Sequence, residues 1–173
     1  MNNTSPLLSF TTQRAGLAET TTALALLKSA AATLQQKGID QWSIWLNPPA
    51  EKVKWVEEGV SNGEFYFILI NDLVAGMYRL LTADELYWGQ QEAAARYVHS
   101  LVVLNEYAGQ QIGRRVLEQL IVETREAGIP LFRLDCNAAN KALCSYYEQL
   151  GFRQVGLKQM PHSLNCLYEL QLS

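Results

Sequence analysis

Leu101-Val102-Val103-Leu104-Asn105-Glu106-Tyr107-Ala108-Gly109-Gln110-Gln111-Ile112-Gly113-Arg114-Arg115 carries a β-prone run through a glycine-containing loop and directly into a helix. The helix follows from spacing. Over Gln111 to Ala127, the apolar Ile112, Val116, Leu117, Leu120 and Ile121 share one face while Arg115, Glu118, Glu123 and Arg125 lie elsewhere, and Gly128 caps the end. The run before it, Tyr97 to Leu104, has the aromatic and β-branched content of a strand. A loop that opens a helix presents unpaired backbone N–H groups and the positive end of the helix dipole, so a phosphate or pyrophosphate fits here. The segment lacks G-x-x-x-x-G-K-[ST] and the three-glycine dinucleotide spacing, and by itself it reads equally well as a helix entry without a ligand.

Upstream, Ala23, Leu24, Leu26, Leu27, Ala30, Ala31 and Leu34 follow helical spacing, which predicts an amphipathic helix from about Thr20 to Lys37. Asn47-Pro48-Pro49 breaks the chain, and a shorter helix is expected from Pro49 or Ala50 to Gly59. Glu64 to Ile70 and Leu73 to Leu81, joined by Asn71-Asp72, predict an antiparallel hairpin, with a polar loop over Thr82 to Gln91. A short apolar segment stands at Leu7 to Phe10. Downstream come a strand at Leu131 to Cys136, a helix at Asn140 to Leu150 stopped by Gly151, and two closing strands near Phe152 to Leu157 and Asn165 to Leu172. Helices and strands alternate in the middle and hairpins sit at the ends, so the expected fold is mixed α/β: one sheet with helices on both faces.

The chain has 173 residues and shows no repeat, linker or low-complexity tract, so a single domain over 1–173 is expected. Its 49% hydrophobic content excludes global disorder, and its longest strongly apolar stretch, Phe65 to Ile70, is far too short to span a bilayer. No membrane partner is therefore expected. Met1-Asn2-Asn3-Thr4-Ser5-Pro6 has no basic start followed by an apolar run, which points to a cytoplasmic location. A net charge of −3 provides no basic field for nucleic acid. Cys136, Cys144 and Cys166 form no C-x-x-C pair and the histidines are only His99 and His162, so no metal site is expected and three separately buried thiols are.

A second segment, Asn140-Lys141-Ala142-Leu143-Cys144-Ser145-Tyr146-Tyr147-Glu148-Gln149-Leu150-Gly151-Phe152, joins the first. Leu101-x-Val103 through Gly113 and Asn140 through Phe152, the latter with its N-x-x-A-x-x-x-Y-E-x-x-G-F-like spacing, together resemble the GNAT family of acetyl-CoA-dependent N-acetyltransferases. The resemblance implies a central, twisted, mostly antiparallel mixed sheet, and it makes acetyl-CoA the donor. It assigns cofactor binding to Leu101, Val102 and Val103 on the strand, to Ala108, Gly109, Gln110, Gln111, Ile112, Gly113 and Arg114 in the loop and helix start, and to Asn140 and Tyr147. Ala108 stands where the family usually has Arg or Gln, Asn105 where Pro is common, and Gln111 where Gly is expected. A side chain at 111 would cost on the order of 1 kcal/mol if that position takes positive φ.

The implied reaction can be checked against chemical need. A primary amine, with a pKa of roughly 10.4, arrives as an ammonium and must lose a proton before it attacks a thioester. His99, in the strand ahead of the loop, titrates in the right range and resembles a catalytic histidine of serotonin N-acetyltransferase through the form His-x-Leu-x-Val; a half-buried strand histidine bonded to backbone is the alternative. By the resemblance Tyr147 is the general acid that protonates the departing CoA thiolate. A strand N–H, that of Val103, would meet the developing oxyanion, and Asn140 also reads as a helix N-cap. Trp42, Trp45, Trp88 and Tyr97 are the candidates for walls of an amine site, with core packing the commoner fate of tryptophan. Asp84 and Glu92 could attract a cation, with a solvated loop the more ordinary reading.

The leading expectation is acetyl transfer from acetyl-CoA to a primary amine, on a small molecule or a peptide, by direct attack. The alternatives are a catalytically silent acyl-CoA-binding or regulatory module of the same fold and an unrelated nucleotide or phosphate binder. A homodimer is a reasonable guess from the frequency of symmetric oligomers, although no heptad supports it.

Overall fold

The amphipathic periods set the elements of the computed structural model, which describes residues 7–39 and 41–172. In chain order the strands are β1 (Thr11–Arg14), β2 (Phe65–Ile70), β3 (Leu73–Leu81), β4 (Ala95–Val103), β5 (Leu131–Asn137), β6 (Arg153–Met160) and β7 (Ser163–Gln171). The α-helices are α1 (Thr20–Gln36), α2 (Ala50–Ser61), α3 (Glu85–Trp88), α4 (Ile112–Glu126) and α5 (Lys141–Gln149). The sheet is seven-stranded and mixed, in the order β1-β2-β3-β4-β5-β7-β6. β1–β2, β2–β3, β5–β7 and β6–β7 pair antiparallel, and β4–β5 pair in parallel. Among the described residues no helix is long and apolar enough to cross a membrane.

Contacts gather the chain into two units. The first comprises residues up to Arg79 together with Ser100–Leu117. Its core joins Ala23, Leu26, Leu27 and Ala31 of α1 to Val56 and Val60 of α2, and to Phe65, Phe67, Met77 and Val102 of the strands. The hairpin turns on Asn71 and Asp72, both left-handed at φ 50° and 63°, the geometry a two-residue turn needs. Gly76 is required where β3 passes β4, since a Cβ there would collide with the Val102 carbonyl oxygen. The first strand begins just after the apolar Leu7 to Phe10 segment. Pairing with β2 falls on Thr11–Arg14, while the Arg115 guanidinium donates to the Leu8 carbonyl and lies 5.1 Å from the Phe10 ring.

The second unit comprises Leu80–His99 and Glu118–Ser173. Phe132, Leu134 and Tyr168 are fully buried on β5 and β7, with Phe152 packed on Phe132. Arg133 is buried as well: it pairs with Glu169 at 2.7 Å, donates to the Tyr97 hydroxyl at 2.8 Å and stacks over Trp88 at 4.7 Å. The parallel register of β4 on β5 runs over Ala95–Tyr97 against Leu131–Arg133.

Candidate active site

The loop after β4 is made by backbone conformation. Gly109 sits at φ 80° and Gln111 at φ 57°, so the position where the resemblance expects glycine does take the left-handed conformation, with a glutamine in it. The first hydrogen bond of α4 is Arg115 N–H to Gln111 O at 3.0 Å, so helix geometry aims the amides of Ile112, Gly113 and Arg114 out of the helix end. A Cβ at Gly109 would meet nothing within 4 Å, and one at Gly113 would only touch Val103 Cγ2 at 3.8 Å. Ala108 enters the loop extended, at φ −59° and ψ 148°, and its N–H bonds Asn105 O at 3.0 Å. Leu104 N–H bonds Ala75 O at 2.8 Å, tying the end of the strand to its neighbour. Open backbone, turned amides and a helix N-terminus suit a pyrophosphate, and the residues present fit such a group.

β4 is not a regular strand. Ser100 has φ 53°, which interrupts the side-chain alternation of a regular strand. Val102 is buried, and Leu101 and Val103 are half-buried.

His99 lies in a cluster that the spacing did not reveal. Its Nε2 is 2.7 Å from Asp84 Oδ2 and its Nδ1 is 3.3 Å from Asp135 Oδ1; the three side chains are 10%, 5% and 7% exposed. Asp135 Oδ2 accepts from the Asn165 amide at 2.6 Å, and Asn165 Oδ1 accepts from the Ser163 hydroxyl at 2.7 Å. Asp84 caps α3, its Oδ1 accepting from Tyr87 N–H at 3.3 Å, and the Tyr87 ring packs 5.1 Å from the imidazole. Burial pushes the Asp135 carboxyl up, against the opposing effects of His99 and Asn165, and burial with the two aspartates pushes the Tyr87 phenol up. Asp84 is therefore no solvated loop acid. The Asp-x-x-Tyr cap spacing at 84–87 and the lone carboxylate in the apolar run Leu131–Cys136 were the available signals.

Tyr147, half-buried on α5, lies among Tyr146, Phe152 and Tyr168, at ring separations of 5.5, 6.0 and 5.9 Å. Burial, then the nearby Cys136 thiol and Asp135 carboxyl, holds its phenol well above the usual range, so it stays a proton donor at neutral pH. The thiols are not separate as expected. Cys136 Sγ and Cys144 Sγ are 3.6 Å apart, because β5 and α5 each turn one inward, and burial raises the Cys136 thiol. Asn140 is the N-cap of α5, its Oδ1 accepting from Leu143 N–H at 3.1 Å.

The aromatic candidates are spent largely on packing. Trp45 is buried in the core of the first unit, 6.1 Å from Trp55, and Trp42, left-handed at φ 65°, packs on the same core. In the second unit Tyr97 is 2% exposed, and its hydroxyl accepts from Arg133. Trp88 packs on both Tyr97 and Arg133, its Nε1 buried and without a hydrogen-bond partner.

The chain is 29% identical over 136 residues to the uncharacterized N-acetyltransferase YesJ of Bacillus subtilis (strain 168), covering 76% of this chain and 74% of that protein. Its fold matches a GNAT-family acetyltransferase from Listeria monocytogenes 4b F2365 with a TM-score of 0.78 and 23% identity, covering 95% of this chain and 96% of the other. It also matches the PaiA N-acetyltransferase of Thermoplasma acidophilum in complex with coenzyme A, with a TM-score of 0.61 and 15% identity, covering 95% and 99%. A model of the acetyltransferase (GNAT) family matches residues 25–152, and with the glycine loop at the head of α4 and the tyrosine on α5 in their expected elements, the chain belongs to that family of acyltransferases.

Proposed function

We propose that this acetyltransferase takes its acetyl group from acetyl-CoA and delivers it to a primary amine by direct attack. The observation that carries the reading is Gln111 at φ 57°. A non-glycine residue held left-handed costs roughly 1 kcal/mol, and such strain persists where the surrounding structure over-determines it, commonly at ligand sites. The amides of Ile112, Gly113 and Arg114, with Gly109 open beside them, would hold the pyrophosphate, and Asn140 is a cofactor residue by the family resemblance alone. Bound there, acetyl-CoA supplies an activated thioester. Within the second unit Tyr147 would give its phenolic proton to a leaving sulfur, and His99 is the side chain around which the base would be built; within the first, the Val103 N–H would steady a carbonyl oxygen. Trp42 and Trp88 remain the candidates for contact with the amine. Three free cysteines favour a reducing, cytoplasmic location.

The test is the thermal midpoint with excess acetyl-CoA against ATP, followed by thiol release with an amine panel. Ligand at about 100 times its Kd adds about 2.7 kcal/mol, which moves a domain of this size by several degrees. A shift with acetyl-CoA alone and CoA release with at least one amine are expected. A shift without release from any amine would turn the reading into the silent acyl-CoA-binding module, and an ATP shift alone would turn it into a nucleotide binder.

A further inference from the structure

Resting on the acetyl-transfer reading, we propose that Asp84, His99 and Asp135 form one proton-holding unit of single negative charge, in which Asp84 receives the proton of the acceptor ammonium and His99 with Asp135 positions it. The argument begins with donors and acceptors. A neutral imidazole has one N–H and one lone pair, whereas an ionised carboxylate only accepts. His99 faces a carboxyl group at each nitrogen, 2.7 Å at Nε2 and 3.3 Å at Nδ1. Three arrangements satisfy this geometry: an imidazolium between two carboxylates, a neutral ring that donates from Nε2 to Asp84 while a protonated Asp135 donates to Nδ1, and its mirror with the proton on Asp84; the anchoring of Asp135 at both oxygens leaves Asp84 as the carboxylate open to a substrate proton. All hold two protons and a net charge of −1, and in none does the ring keep a lone pair for a substrate. His99 is thus a bridge, not the free base that its strand position suggests.

The two carboxyl groups differ. Asp135 is anchored at both oxygens, by His99 and by the Asn165 amide at 2.6 Å, with Ser163 behind it. Asp84 is anchored at Oδ2, and its Oδ1 makes only the long 3.3 Å contact with Tyr87 N–H, which leaves that oxygen with capacity to accept. The groups around the unit are Asp84 and Tyr87 from the α3 segment and Asp135 from β5, with Asn165 of β7 bonded to Asp135 and the Tyr147 phenol of α5 near it. Proton transfer balances simply: an N–H bond of the ammonium breaks, its electron pair stays on nitrogen as the nucleophile, an O–H bond forms at Asp84, and the unit passes from −1 to neutral. A single buried negative charge also selects a cationic acceptor, an amine that arrives protonated, over a neutral hydroxyl compound.

The first measurement uses the wild-type protein and needs no turnover. The chain has only two histidines, so ring-nitrogen NMR from about pH 5.5 to about 8.5, with a free imidazole compound as the reference, isolates the His99 signals. The His99 ring signals are expected to stay fixed over the interval in which an exposed imidazole changes charge, near pH 6.5. Movement of the His99 signals together with those of the free imidazole would overturn the unit. In the second measurement, Asp84→Asn should lower kcat by about 100-fold or more with KM for acetyl-CoA unchanged. In Asp135→Asn the base reverts from a carboxylate to an imidazole, so the ascending limb of kcat/KM should move to higher pH by more than about one unit. A lower rate with an unmoved limb would reduce Asp135 to a structural role and overturn its part, as would a limb that moves toward acid. Failure of the acetyl-transfer reading has a separate signature: no CoA release by the wild type with any amine, whatever His99 does.

Discussion

The loop that opens α4 and the cluster around His99 are built from opposite materials. In the loop the working groups are main-chain amides, aimed by two left-handed residues, Gly109 and Gln111, and side chains matter only by their absence. In the cluster they are ionisable side chains from β4, β5 and the start of α3, each less than about a tenth exposed or at that limit, and each held by another. A backbone site tolerates departures such as Ala108, because the amide it presents does not depend on the side chain. A side-chain site does not, because removing one member leaves a buried partner unsatisfied.

The comparison can be broken or sharpened by substitution. The largest effect is expected at Tyr147, where Phe keeps the packing against Phe152 and Tyr168 and removes only the hydroxyl; kcat should fall by about 100-fold or more, with KM for acetyl-CoA unchanged in steady-state assays. Because the phenol is raised above its usual range, the protonated donor form persists as pH rises, and wild-type kcat should show no descending limb from this group below about pH 10. Next comes Gly109→Val, which places a β-branched residue at φ 80°: stability should drop by about 1–2 kcal/mol, and the acetyl-CoA affinity read by titration should weaken by about tenfold, equally at every pH. A pH-dependent loss would break the distinction between the two regions.

Smaller effects sharpen it. Asn140→Ala removes the cap of α5 and should cost about 1 kcal/mol by denaturant unfolding, more than it changes acetyl-CoA affinity if capping is its main task. Smallest is Gln111→Gly, which relieves the left-handed glutamine and should raise stability by about 0.5–1 kcal/mol in thermal unfolding with affinity held or tightened. A loss of stability would mean that the Gln111 side chain contributes something the backbone argument omits.

The linkage of Asp135 bears on the same contrast. Its carboxyl is raised on folding, so the native state binds this proton more tightly than the unfolded chain does. The group's contribution is present below the unfolded carboxyl value and is lost as pH rises through and above it. Relative to wild type, Asp135→Asn should therefore gain thermal stability as pH increases from about 4 to 8, whatever its effect on turnover.

Much of this was legible in the chain. Periodicity located α1, α2, α4 and α5 to within a few residues, and Asn71-Asp72 located the hairpin, because burial of one face and turn chemistry are local properties. β1 at Thr11–Arg14 was not legible, since its polar sequence carries no strand pattern and the apolar content of Leu7 to Phe10 does not say whether a segment pairs in a sheet or lies under an arginine. The four-residue α3 was hidden inside a polar loop for the same kind of reason, its only local mark being the capping aspartate.

By itself the sequence determined the family's two segments, the order of strands and helices other than β1 and α3, and the spacing that puts Gly109, Gly113, Asn140 and Tyr147 in their elements. Only the tertiary structure decided that Gln111 is left-handed, that Ser100 breaks β4, that Cys136 meets Cys144, and that His99 is bridged by Asp84 and Asp135. The physical reason is range. Periodicity, capping and turns act over a few residues, whereas the partners of a buried charge lie 15 and 36 positions away and are chosen by strand register, which no local pattern encodes.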